Sequence, residues 1–173
     1  MARRVFFSFH YQEDIWRVNQ IRHVGVTKDW ETAPFLDAAS WEAVKRKGEA
    51  AITEWIDRQL DGTGVTVVLI GSQTAERKYV RYEIEESHRR GNGLFGIRIH
   101  KLENQKRQTA KRGRNPFSNV TTVVEEPRML GLWTEKVRKR LSQIYPVYDW
   151  VVHEGYRHIG EWIEDAARKA GRL

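Results

Sequence analysis

Three glutamates crowd into four positions of the stretch RKYVRYEIEESHRRG, at Glu83, Glu85 and Glu86. At about 100° per residue, Val80, Ile84 and Ser87 share one side of a helix there, and Glu85 and Glu86 fall well away from it. Glu83 lies beside that side, one turn after Tyr79. Glu85 and Glu86 therefore read as solvated surface charges. Glu83 reads as a half-exposed acid on the border between core and surface, where a carboxylate can line a cleft. On pattern alone that acid fits a structural role at least as well as a catalytic one.

Other chemistries lack their residues. A phosphoacceptor site needs an aspartate at the end of the central strand, and here Gly71 and Ser72 stand there. A dinucleotide fingerprint needs G-x-G-x-x-G after the first strand, where this chain has SFHYQED. P-loop and G-x-S-x-G patterns are missing. The histidines, His10, His23, His88, His100, His153 and His158, form no H-x-x-x-H pair, so no metal site is expected. With no cysteine, disulfides are excluded and a reducing, cytosolic compartment is expected. No run approaches the roughly 18 apolar residues of a membrane span.

The elements that must position these residues alternate. Val5–Phe9 reads as a first strand. A helix follows with Ile15, Val18 and Ile21 at helical spacing and Asp14 as its N-cap. WETAPFLDAASW reads as a loop with a brief second strand at Pro34–Asp37. One long amphipathic helix is predicted from a Ser40 cap to Gly62, with Trp41, Val44, Ile52, Trp55, Ile56 and Leu60 near its apolar face. Val65–Gly71 is uniformly apolar and β-branched, as a central strand covered on both faces should be. A helix at Lys78–Arg90, a turn at Gly91–Gly93 and a strand at Leu94–His100 come next. A strand at Val120–Val124, a helix near Thr134–Ile144 and a last helix from about Gly160 complete the order.

The alternation predicts a single α/β domain over residues 1–173 with a parallel central sheet and right-handed crossovers. Ligands then collect at the carboxyl ends of the strands, near Ser8–Tyr11 and Gly71–Ala75. The net charge of +7 falls within residues 101–140, which hold eleven Lys/Arg against four Asp/Glu. Residues 101–119 are expected to be a mobile basic loop. Its charge would attract polyanions, but no aromatic interleaves Lys101–Arg114 to stack on bases, so no specific nucleic-acid partner is expected.

RRVFFSFHYQEDIWRVNQIR resembles the opening of TIR domains. GVTVVLIGSQTAERKYVRYEIEES resembles their S…W-x-x-x-E segment, with Ser72, Tyr79 and Glu83 at those places. FFSFHY, VGVTKDWE, WEAVKRKGEAAITEWID, TVVLIG, YEIE, RGNGLFGIRIHKL, NPF and YDWV resemble the TIR-like family of the Thoeris antiphage system over nearly the whole chain. Tyr79 replaces the usual tryptophan, and Val80 stands where many TIR enzymes have cysteine.

This resemblance implies a three-layer flavodoxin-like fold and an enzyme that uses NAD+ as substrate, with no further cofactor. Such an enzyme breaks the nicotinamide–ribose bond and then releases ADP-ribose, cyclises it or joins it to another acceptor, and the expected signal is an ADP-ribose derivative, a cyclic one first among these. A separate effector protein responds to that diffusible product. A phage trigger and self-association on activation are implied as well. Glu83 becomes the catalytic carboxylate. It would stabilise the ribosyl cation electrostatically, because the cationic nicotinamide leaves without a protonating acid. Phe9, His10 and Tyr11 after the first strand could stack on a ring or bond a phosphate, or, for Phe9, simply fill the core. Asp37 and Trp41 flank a loop that often covers the site in TIR domains. For Asp37 the entry turn of the next helix is an equal reading. Ser72 could bond ribose or phosphate, or only form a turn. The alternative is a non-catalytic TIR-like module that assembles partners through its surface.

Overall fold

The computed structural model describes residues 3–25, 30–33 and 38–172. Among these, five parallel strands form one sheet: β1 (Arg3–Ser8), β2 (Trp30–Thr32), β3 (Val65–Ile70), β4 (Gly93–Arg98) and β7 (Val147–Asp149). Their spatial order is β2-β1-β3-β4-β7, the doubly wound order of flavodoxin-like folds. The helices are α1 (Tyr11–Gly25), α2 (Ala38–Arg46), α3 (Glu49–Leu60), α4 (Lys78–Arg89) and α5 (Gly155–Lys169). The hairpin β5 (Thr121–Arg128) and β6 (Trp133–Arg140) stands apart from the sheet.

Period-two alternation divides the core. Val5, Phe7, Val65, Val67, Leu69, Phe95 and Ile97 point to one face, where they meet Val18 and Ile21 of α1 and Ile159 and Ile163 of α5. Phe6, Val68, Ile70 and Leu94 point to the other, against Ile52 and Ile56 of α3 and Val80 and Ile84 of α4. All six residues of β3 are buried, as a β-branched, largely apolar strand covered on both sides should be, and the Thr66 hydroxyl is satisfied by Ser87 Oγ at 2.8 Å. Between the two parallel neighbours β1 and β3, successive crossovers leave toward opposite faces. That divergence opens the crevice at their carboxyl ends.

Several expectations are corrected. The second strand is Trp30–Thr32, inside a stretch read as loop; Trp30 is buried and meets Phe7 edge-on at 5.6 Å. Pro34–Asp37 lies outside the described residues. The long helix is two helices, because Gly48 takes a left-handed backbone (φ 95) that ends one and starts the other. Ser40 falls inside α2 rather than capping it. Asp14 is a buried residue in the first turn of α1, not its N-cap. The helix expected near 134–144 is β6, which pairs antiparallel with β5 from Thr121↔Arg140 to Arg128↔Trp133. Ladder hydrogen bonds over the whole of Trp133–Arg140 override the helix propensity of its lysines, arginines and glutamate.

The basic segment is tied to the domain at several points. Arg17, itself buried, donates through Nε to the Leu102 carbonyl at 2.8 Å and through Nη2 to that of Gln108 at 3.1 Å. Arg98 Nη1 holds the Gly113 carbonyl at 2.7 Å. Gly113 lies so close to β3 that a Cβ there would sit 2.0 Å from the Gly71 carbonyl oxygen.

Candidate active site

The carboxyl end of β1 and the first two turns of α4 build the site together. Ser8 is the last residue of β1 and points to the α4 side, so its hydroxyl meets a helix rather than water. Its Oγ donates to Glu83 Oε2 at 2.5 Å. Glu83 is only 9% exposed, which corrects the half-exposed border position expected from the helical pattern. The helical pattern alone could not show this, because the end of β1 lies beside α4 and Ser8 meets the carboxyl there. Burial pushes the Glu83 carboxyl up to about 8, and the Ser8 hydrogen bond works in the opposite direction. Among the described residues, no ion pair reaches it.

In front of Glu83 opens a cleft of about 250 Å³. Phe9, His10 and Tyr11 bound it on the β1 side, and Trp41, Lys45 and Trp55 on the α2–α3 side. Arg77, Tyr79 and Val80 belong to α4 and the residue before it. The wall is aromatic: Trp41 meets Trp55 edge-on at 5.7 Å and Tyr79 at 6.2 Å, and Phe9 lies 6.1 Å from Tyr11. Such rings suit flat, conjugated ligands. His10 is held below its usual range by burial and by the charge of Arg77.

The structure thus brings together Glu83, Phe9, His10, Tyr11, Trp41 and Tyr79. It does not bring Ser72, which is part-buried in the turn after β3 and does not line the cleft. Asp37 lies outside the described residues. Sequence reasoning placed Ser8 in the ligand-collecting region but gave it no role, and it missed Lys45, Trp55 and Arg77. Ser8 had a signal, a hydroxyl ending an apolar strand. Lys45 and Arg77 lie one helical turn after Trp41 and two residues before Tyr79, so both neighbour residues already singled out. Trp55 had none, since its spacing also fits plain core.

The chemistry available is that of a buried carboxyl facing an open, aromatic-walled cleft. Its charged form is disfavoured until something cationic enters. Among the described residues, no group of three metal-ligating side chains is present.

A doubly wound parallel sheet with an acid on the helix after its central strand places the chain among flavodoxin-like domains of the TIR type. Residues 6–104 match the model of the family described as "Thoeris protein ThsB, TIR-like domain". A Bacillus cereus (strain MSX-D12) protein named "Putative cyclic ADP-D-ribose synthase ThsB1" is 37% identical over 191 aligned positions. The alignment covers 94% of this chain and 100% of the relative. The chain belongs to the ThsB TIR-like family.

Proposed function

We propose that this chain is an NAD+-consuming enzyme of the ADP-ribosyl cyclase type, with Glu83 as its catalytic carboxylate. The observation that carries the reading is the position of Glu83: buried, without a cationic partner, and open to an aromatic cleft. The name of the Bacillus cereus relative supports a cyclic ADP-ribose product.

Nicotinamide in NAD+ is cationic, and its ring can lie against the aromatic wall. Its charge favours ionisation of the buried carboxyl, which the empty cleft opposes. As the C–N bond breaks, the positive charge passes from the ring to the ribose. A carboxylate there stabilises that charge more strongly in the transition state than in the ground state. Neutral nicotinamide departs with the bonding electron pair and needs no proton. Attack on the ribosyl carbon by a nucleophile of the same molecule closes a ring; attack by water gives ADP-ribose.

The diffusible product would activate a separate effector protein, with a phage component as trigger and self-association accompanying activation. The protein would act in the cytoplasm. Among the described residues, no helix is long and apolar enough to cross a membrane. NAD+ incubated with the protein, with and without lysate of phage-infected cells, and analysed by mass spectrometry should yield nicotinamide and an ADP-ribose-derived species. NAD+ left intact under both conditions would favour the non-catalytic interaction module.

A further inference from the structure

The two ends of the cleft differ in chemistry. Glu83 stands at one. At the other, α4 begins, and its N-terminus carries no side-chain cap. Arg77 is the residue immediately before it and lines the cleft, as do Tyr79 and Val80 from its first turn. The free N–H groups of a helix's first turn and its dipole attract anions. Six residues separate Arg77 from Glu83, or about 9 Å along a helix axis.

Two polar atoms at this end lack partners. Arg77 Nε and His10 Nδ1 are both buried with no hydrogen bond among the described residues, and His10 is only 8% exposed. Unsatisfied buried groups are costly unless a ligand completes them. Arg77 keeps one bond, from Nη2 to Gln73 Oε1. Lys45 stands on the opposite rim, paired with Glu42 at 2.6 Å. It could exchange that exposed carboxylate for a more highly charged anion.

We propose that Arg77, His10, Lys45 and the open N-terminus of α4 form an anion subsite that takes the diphosphate of the ligand. This rests on the dinucleotide reading of the cleft and orients the ligand within it. The nicotinamide riboside half lies against Glu83, and the phosphates lie toward the start of α4. Arg77 is then a specificity-determining residue that selects phosphorylated ligands over bare nucleosides.

Fluorescence of Trp41 and Trp55, both in the cleft wall, reports binding without turnover. The probes are ADP-ribose and nicotinamide riboside, titrated into the parent, Arg77→Gln and Arg77→Lys, each checked for folding by circular dichroism. Losing a charge-assisted contact should weaken ADP-ribose binding to Arg77→Gln by about ten- to a hundredfold. Nicotinamide riboside binding should stay within about twofold, and Arg77→Lys should recover part of the loss by keeping the charge. ADP-ribose binding Arg77→Gln as tightly as the parent would overturn the subsite. A parent that binds nicotinamide riboside but not ADP-ribose would also overturn it, while leaving the reading of the Glu83 end intact. A parent that binds neither would overturn the dinucleotide reading, and the subsite with it.

Discussion

Two buried carboxyls flank the carboxyl ends of β1 and β3 from opposite faces of the sheet. Burial pushes both upward, Asp14 to about 6 and Glu83 to about 8. Their surroundings differ. Asp14 Oδ1 accepts from Arg17 Nη1 at 3.2 Å, and the same guanidinium also bonds the carbonyls of Leu102 and Gln108. Asp14 also lies under Gly71, where a Cβ would sit 2.0 Å from its Oδ2. Its cation is built in on Oδ1, while its Oδ2 has no hydrogen-bond partner among the described residues. Glu83 has a hydroxyl but no cation, and it faces an open cleft. The comparison separates an acid that holds the fold together from one whose counter-charge must arrive with a ligand.

The largest effect should come from Glu83→Gln, which keeps the shape and removes the charge. NAD+ turnover should fall by about 10²–10³. Stability should move the other way. An acid whose folded-state pKa is raised binds more protons folded than unfolded, so its ionisation costs stability as pH rises from 4.5 to about 8. The glutamine escapes that cost. At pH 9 the variant should be more stable than the parent by about 4–5 kcal/mol, a melting temperature higher by about 8–20 °C. Near pH 4.5 the two should melt together. Superimposable melting curves from pH 5 to 9 would mean that Glu83 is not desolvated.

Arg17→Ala tests the other side. It strands Asp14 and releases both loop carbonyls, so it should destabilise by about 3–5 kcal/mol. That is a melting temperature lower by roughly 6–20 °C. Adding Asp14→Asn should recover part of the loss, because the uncompensated charge is gone. A single variant that melts within about 2 °C of the parent would show that the Arg17 contacts are not needed to hold the loop.

This contrast was only partly legible in the sequence. The β-branched, largely apolar strand Val65–Ile70 announced the centre of the sheet, and the helix Lys78–Arg89 that follows it was visible as an amphipathic period. Glu83 could be singled out because one helix face is a local property. Its burial could not, because the strand residue that meets it, Ser8, lies 75 positions earlier in the chain. Asp14 was misread as a cap for a similar reason: a helix that starts at Tyr11 leaves it in the first turn, pressed under Gly71. The strand Trp133–Arg140 has no apolar alternation to betray it, since it pairs with one neighbour and covers no core. Lys45 and Arg77 look like ordinary surface cations until the fold turns them toward one cleft.

Ser8→Ala sharpens the comparison at smaller scale. Ser8 Oγ is the hydrogen-bond donor that favours the Glu83 carboxylate. Without it the acid should ionise at still higher pH. The ascending limb of the kcat/KM profile, which reports the free enzyme, should therefore move to higher pH. At neutral pH the loss should be about three- to tenfold, the worth of one hydrogen bond, and it should shrink as the pH is raised. Ser8→Thr keeps the hydroxyl and should stay near the parent. A loss that is constant across the pH range would mean that Ser8 supports the site only through packing.

The smallest effects should come from the two acids nearest Glu83 in sequence. Glu85 is exposed and pairs with Arg81 at 2.8 Å, so Glu85→Gln should change stability by no more than about 0.5 kcal/mol. Glu86 is not the solvated charge that its helix angle suggested. Its side chain is 11% exposed and accepts from Arg89 and from Arg90, and Arg90 also reaches Asp61 after α3. The Arg89 and Arg90 hydrogen bonds hold its pKa down at about 2. A depressed acid contributes stability that is present above 4.5 and lost as the pH falls toward 2. Glu86→Gln should therefore cost about 1 kcal/mol at neutral pH, and the difference from the parent should fade in acid. Both variants should turn over NAD+ within about threefold of the parent, since neither side chain lines the cleft. If Glu85→Gln instead lost activity as deeply as Glu83→Gln, burial and access to the cleft would not be what marks the catalytic acid, and the assignment of Glu83 would fall.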